Sequence, residues 1–254
     1  FARDWDVRAM LRLMVTSHTY RQASHADAAS LAIDPQNRFL WRASRLRLPA
    51  ESIRDQALAS SGLLVPEIGG PSVMPYQPEG LWKDVAYDPS GREFTGQVYK
   101  QGTGPDLYRR SMYTYWKRSS PPPELATFDA PNREICTVQR ARTNTPLQAL
   151  VLLNSPTFVE ASRMLAQRVL LEIEGDDARL DRMYEYVLSR SPSARERRVL
   201  REILRDETFT PEDAASLLAV GEAPVAASLD PVELARWASI ASIILNLDEA
   251  ITRG

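Results

Sequence analysis

The chain has 254 residues, 44% hydrophobic and 25% charged, which is ordinary for a soluble globular protein with a substantial core. Its formal net charge of −2 removes any global pull toward nucleic acid or an anionic membrane. One cysteine, Cys136, and two histidines, His18 and His25, exclude an intrachain disulfide, a C-x-x-C-H haem attachment and the common zinc sites. No run of about eighteen apolar residues is present.

In chain order, Asp6 caps a predicted helix to about Ser17, with Trp5 before it and an apolar stripe of Met10, Leu11, Met14 and Val15. His18 falls in the polar turn that follows and reads as a capping or surface histidine before a haem ligand or proton carrier. Residues 34–48 predict irregular chain, with a turn at Asp34-Pro35 and Asn37 and arginine stems packed over Trp41. Pro49 to Ser61 predicts a helix stopped by Gly62, with Ile53, Ala57 and Leu58 inward. Glu51 and Asp55 stand four apart and share one side of it. They read first as part of a structural Arg–Glu–Asp cluster and second as an acid/base pair or divalent-ion site.

Residues 62–107 form a long Gly/Pro-rich region, the composition of a lid, binding surface or docking arm. Within it Leu81 to Ala86 predicts a short helical turn and Gln97 to Lys100 a strand. Met112 to Trp116 alternates in the manner of a second strand, closed by Pro121–Pro123, with Ile135 to Arg140 as its partner. Tyr115 beside Arg140 and Arg142 would wall any site there.

The stretch FDAPNREICTVQRARTNTPLQALVLLNSPTFVEASRMLAQRVL, from Phe128 to Leu170, carries the densest signal. Thr145, Pro146 and Gln148 have the spacing of an N-cap, a first-turn proline and a capping box. Leu147 and residues 149–153 are apolar nearly all round, which predicts a buried short helix. Ser155-Pro156 opens a second helix to about Leu171. Before them stand Arg133, Arg140 and Arg142, with Asp129, Asn132, Glu134 and Asn144. Two readings compete: a buried Arg–carboxylate–Asn network pinning the loop to the core, or an anion site at the Thr145 helix start. Cys136 reads as a small buried hydrophobe rather than a nucleophile. Beyond residue 175 the pattern is helical scaffold: 177–190, a Ser193/Glu196 capping box to about Asp206, a start at Thr210-Pro211, and Asp230-Pro231 to about Leu247. Trp237, Ile240, Ile244 and Leu247 stripe the last of these.

The stretch FDAPNREICTVQRARTNTPLQALVLLNSPTFVEA resembles the signature of a planctomycete-type domain of unknown function. WDVRAMLRLMVTSHTYRQAS, NRFLWRASRLRLPAESIRDQALASSG and ILNLDEAITRG resemble the same family, so the likeness spans nearly the whole chain. In that family this is the C-terminal domain, following a planctomycete cytochrome c-like domain. The resemblance implies an exported, extracytoplasmic, cytochrome-associated setting and supplies neither a reaction nor catalytic residues. It also casts the abrupt start at Phe1 as the edge of a C-terminal piece.

The expectation is a mainly α chain with a small β element around residues 97–140. It divides into a signature region, 1–174, and a helical scaffold, 175–254. No cofactor or metal is expected in this chain, with haem c placed in the upstream domains. The expected partners are those domains, or another chain of the same protein, and a c-type cytochrome, with no nucleic acid and no membrane span. The function expected is a module not catalytic on its own that binds an acidic ligand through its arginines. The alternative is part of an extracytoplasmic oxidoreductase acting on glycans or small metabolites.

Overall fold

Local side-chain caps start several of the helices in the computed structural model, which describes residues 5–85, 96–205 and 209–253. Backbone contacts divide the chain into two units: Phe1–Leu48 with Thr252–Gly254, and Pro49–Ile251.

In the smaller unit, helix α1 (Val7–Thr16) starts at Asp6, whose carboxylate accepts from the Ala9 N–H at 3.0 Å. None of its residues is buried. Helix α2 (Ala28–Ile33), which the sequence reading did not assign, is capped in the same way by Asp27 from the Ser30 N–H at 2.8 Å. The turn at Asp34 and Asn37 forms as expected. Asp34 accepts from the Phe39 N–H and the Trp41 indole, and the Arg42 guanidinium lies 5.3 Å from the Trp41 ring centroid. Strand β1 (Leu46–Arg47) pairs antiparallel with strand β2 (Thr252–Arg253), Leu46 opposite Arg253.

That pair is the only sheet among the described residues, so the β element is not where the sequence pattern placed it. Residues 97–100 and 135–140 contain no strand. Ser111–Tyr113 closes into a 3-10 turn in which the Arg110 and Ser111 carbonyls accept from the N–H groups of Tyr113 and Thr114. Alternation satisfied the strand template, but bonding to i+3 won locally. What remains of pairing is isolated bridges, Val65 with Arg109, Val73 with Thr114 and Lys117 with Ser120; in the second, Val73 N–H donates to Tyr113 C=O and Tyr115 N–H to Val73 C=O, each at 2.8 Å.

The larger unit is built on α3 (Ala50–Ser61), α4 (Leu81–Asp84), α5 (Pro123–Thr127), α6 (Pro146–Asn154), α7 (Pro156–Glu172), α8 (Asp176–Leu188), α9 (Ala194–Leu204), α10 (Pro211–Leu218), α11 (Pro231–Leu245) and α12 (Asp248–Ile251). Helix α7 is its axis and packs chiefly on α11 and then on α3. Ala161, Leu165, Ala166 and Val169 face Leu234, Ala238, Ile240, Ala241 and Ile244, all essentially solvent-free. The alanines let the two backbones approach, and the leucines and isoleucines fill the seam. Residue 175 falls between α7 and α8, which pack together within this unit. Gly62, at φ 80, ends α3 as expected. Capping boxes form at Ser193/Glu196 and at Thr210/Asp213.

Two expectations about α6 do not hold. Thr145 occupies the cap position but makes no side-chain cap bond. The Gln148 side chain, instead of closing a box, donates to Thr127 C=O at 3.0 Å and Thr143 Oγ1 at 3.2 Å. The helix is not buried either. Gln148 and Leu152 are its only buried residues, whereas Leu147 and Leu150 are 56% and 53% exposed. Tertiary packing inverts the pattern because the side docked on α5 must satisfy a backbone carbonyl, which a leucine cannot do.

Candidate functional site

The arginine segment, residues 132–145, runs over the surface rather than into the core. Its anchor is Asp129, in the left-handed region at φ 61, whose carboxylate accepts from Thr143 N–H at 2.8 Å and Thr143 Oγ1 at 2.9 Å. This ties the two ends of the segment together. Arg133 stacks on Trp116 at 4.5 Å, and the Trp116 indole donates to Asn132 C=O. Arg140 pairs with Glu51 at 2.7 Å with its side chain still 43% exposed. Arg142 and Asn144 are exposed, with no partner among the described residues. The expected burial of Arg140 and Arg142 is therefore overturned, as is that of Cys136, which is exposed. Apolar neighbours after Arg142 promised burial, and those neighbours are themselves on the outside.

The carboxylates of α3 separate. Burial alone would raise the Glu51 carboxyl, but the hydrogen bond and charge of Arg140, with the charge of Arg133, hold it below its ordinary value. Asp55 accepts from Ser111 N–H at 2.7 Å and lies 3.6 Å from Arg110. Tyr115 has no hydrogen bond or ring contact with Arg140 or Arg142, and its ring lies 5.8 Å from Trp82 instead. Among the described residues no group of three or more His, Cys, Asp or Glu side chains could hold a metal ion.

The sequence reading did not anticipate the burial of several charged groups, Arg54, Arg109, Glu160 and Arg163 among them. Arg54 sits on the inner face of α3, where Nη1 donates to Arg109 C=O at 2.9 Å and Nη2 to Leu107 C=O at 2.6 Å. Glu160 and Arg163 of α7 are solvent-free; Glu160 Oε1 accepts from Tyr108 Oη at 2.9 Å and Ala223 N–H at 2.7 Å. Arg163 donates to Ala223 C=O at 2.8 Å, and Gln167 accepts from Ala226 N–H at 2.8 Å. The spacing of 160, 163 and 167 puts all three on one stripe of α7, and together they latch the 220–226 loop. That spacing was the available signal. Near them, burial pushes the Tyr76 hydroxyl up to about 12, with the Glu160 charge adding to it.

A cleft of about 530 Å³ opens between α5, α6 and residues 76–78. Leu147, Leu150 and Val151 of α6 form one wall, Pro123 and Pro156 edge it, and Glu124 is the one charged residue lining it among those described. Glu124 Oε1 accepts from Ser155 Oγ and from Thr157 Oγ1 at 3.0 Å. Burial raises its carboxyl above the ordinary value, against those hydrogen bonds and the charge of Arg54.

These features define a mainly α module with an arginine-bearing surface segment and an apolar cleft, without a recognisable nucleophile–base arrangement among the described residues. The chain belongs to the family described as PSD1, protein of unknown function (DUF1553), whose profile matches residues 1–204. No curated protein and no solved structure matches it.

Proposed function

We propose that the chain is the C-terminal module of an exported, cytochrome c-associated protein of planctomycete type, not catalytic on its own, which packs against the upstream domains of that protein. The observation that carries the reading is α1, whose Met10, Leu11, Leu13, Met14 and Val15 are all about half exposed. An amphipathic helix that buries nothing gains little from folding alone, so its apolar face is stabilised by covering it. The resemblance of the 128–161 stretch to cytochrome-associated domains of unknown function supports the reading, and membership of a family of unknown function is compatible with it.

Light scattering on the chain, with and without the segment that precedes it in the full gene product, tests the docking. Concentration-dependent association, relieved by the preceding segment and abolished by Leu11→Glu, is expected. A monomer at every concentration that ignores that segment would reject it. The cytochrome assignment predicts a C-x-x-C-H sequence and a Soret band in the full-length product. Their absence would remove that assignment alone.

The second part of the reading is an acidic ligand at the arginine segment, favoured by the exposed guanidinium of Arg142, without a partner among the described residues and two residues along the chain from the half-exposed Arg140. Citrate is a suitable probe, since three carboxylates can engage guanidinium forks. Saturable binding should be lost in Arg142→Gln, and unchanged binding in that variant would remove the site.

A further inference from the structure

The α5–α6 cleft has two properties that the module reading leaves unused: an apolar wall that the described residues leave open, and a carboxylate set into it. Leu147, Leu150 and Val151 lie at i, i+3 and i+4, so one face of α6 is committed to the cleft. At about 530 Å³ the space is the size of a small-molecule site and small for a docked domain. Prolines 123 and 156 stand at helix starts on its edge and stiffen it before any ligand arrives.

Glu124 fixes what such a ligand must carry. Its Oε1 is held by the hydroxyls of Ser155 and Thr157, while Oε2 has no partner among the described residues. Among the described residues no lysine or arginine lines the cleft. Arg54, whose charge acts on Glu124, directs its Nη groups to the carbonyls of Leu107 and Arg109 and to Ser111 Oγ. A carboxylate in an apolar wall with one free oxygen is stabilised by a donor that brings positive charge.

From this juxtaposition we infer that the cleft binds a small organic ammonium compound, its hydrocarbon body against Leu147 and Leu150 and its cationic head on Glu124 Oε2. An ammonium supplies three donors and a full charge, whereas an alcohol supplies one donor and none, and a carboxylate head would be repelled. Selectivity by head group at constant hydrocarbon length is therefore the signature of the site.

The test is isothermal titration of the full chain at neutral pH with hexylammonium, 1-hexanol and hexanoate. Hexylammonium should bind saturably and about tenfold or more tighter than hexanol, in line with the strength of a charge-assisted hydrogen bond. Hexanoate should bind more weakly than hexanol. Glu124→Gln, which keeps an acceptor for Ser155 and Thr157, should erase the preference of ammonium over alcohol. Leu150→Lys, at an exposed helix position that tolerates the change, should abolish hexylammonium binding by placing a cation in the cleft, and it keeps the test decisive if Glu124→Gln does not fold. Equal binding of the three compounds, no saturable binding, or hexylammonium binding unchanged in either folded variant would overturn the inference.

Discussion

Gln148 shows how much a single buried amide decides. At 1% exposure it is the most enclosed residue of α6, and its Nε2 serves both Thr127 C=O and Thr143 Oγ1. Gln148→Leu should destabilise by about 1–3 kcal/mol, since it removes the donor to the part-buried Thr127 carbonyl. Thr145→Ala, with no cap bond to lose, should fall within about 0.5 kcal/mol of the parent. Chemical denaturation of the two variants checks the pair, and the reverse order would restore the capping box. Arg140→Met should likewise cost less than about 1 kcal/mol, because the Arg140–Glu51 pair is partly solvated. Glu196 gives a pH signature. The Arg190 hydrogen bond, with the Ser193 cap and the Arg190 charge, lowers its carboxyl from 4.5 to about 2 in the folded chain. A depressed carboxyl contributes stability above the unfolded value and loses it as protons bind, so this contribution fades from about pH 4.5 down to about 2. Arg190→Gln should flatten that part of the stability–pH curve, read by denaturation at a series of acid pH values.

At the scale of elements, α7 works in two directions: its apolar stripe makes the seam with α11, and its polar stripe holds the 220–226 loop. The second role depends on Gly221, which lies at φ 88 and where an added Cβ would collide with the Glu160 carboxyl group. Gly221→Ala would both strain the backbone and displace a solvent-free carboxylate from Tyr108 and Ala223. The expected cost is on the order of 3 kcal/mol, and a near-neutral midpoint in denaturant would mean that the loop is not latched there. Leu165→Ala, in the α7–α11 seam, should cost about 2–5 kcal/mol through the cavity it leaves. The sequence identified the apolar stripe of α11 at Trp237, Ile240 and Ile244 because its period is helical. It concealed the polar stripe of α7, because Glu, Arg and Gln at helical spacing look the same on a solvated face as on a buried one.

For the whole molecule, protection should follow burial rather than helix content. Amides of α7 and α11, enclosed on nearly every side, should exchange with solvent only on global unfolding. Those of α1, which buries no residue, should exchange through local opening, a contrast that hydrogen exchange measured residue by residue would show or refute. The same distinction separates what the chain states outright from what folding adds. Asp6, Gly62, Ser193, Thr210 and Asp230 mark helix ends in the sequence because capping is settled within about four residues. The mainly α class and most helix boundaries were legible for that reason. Which face goes inside is settled by partners distant along the chain. So Leu147 and Leu150 line an open cleft while Gln148 is enclosed, and Arg142 lies on the surface while Arg54, in an ordinary helix, is buried among carbonyls. Hydrophobicity sets the free energy available from burial. Only the packed fold, which must also pair most of the donors and acceptors it encloses, decides which residues receive it.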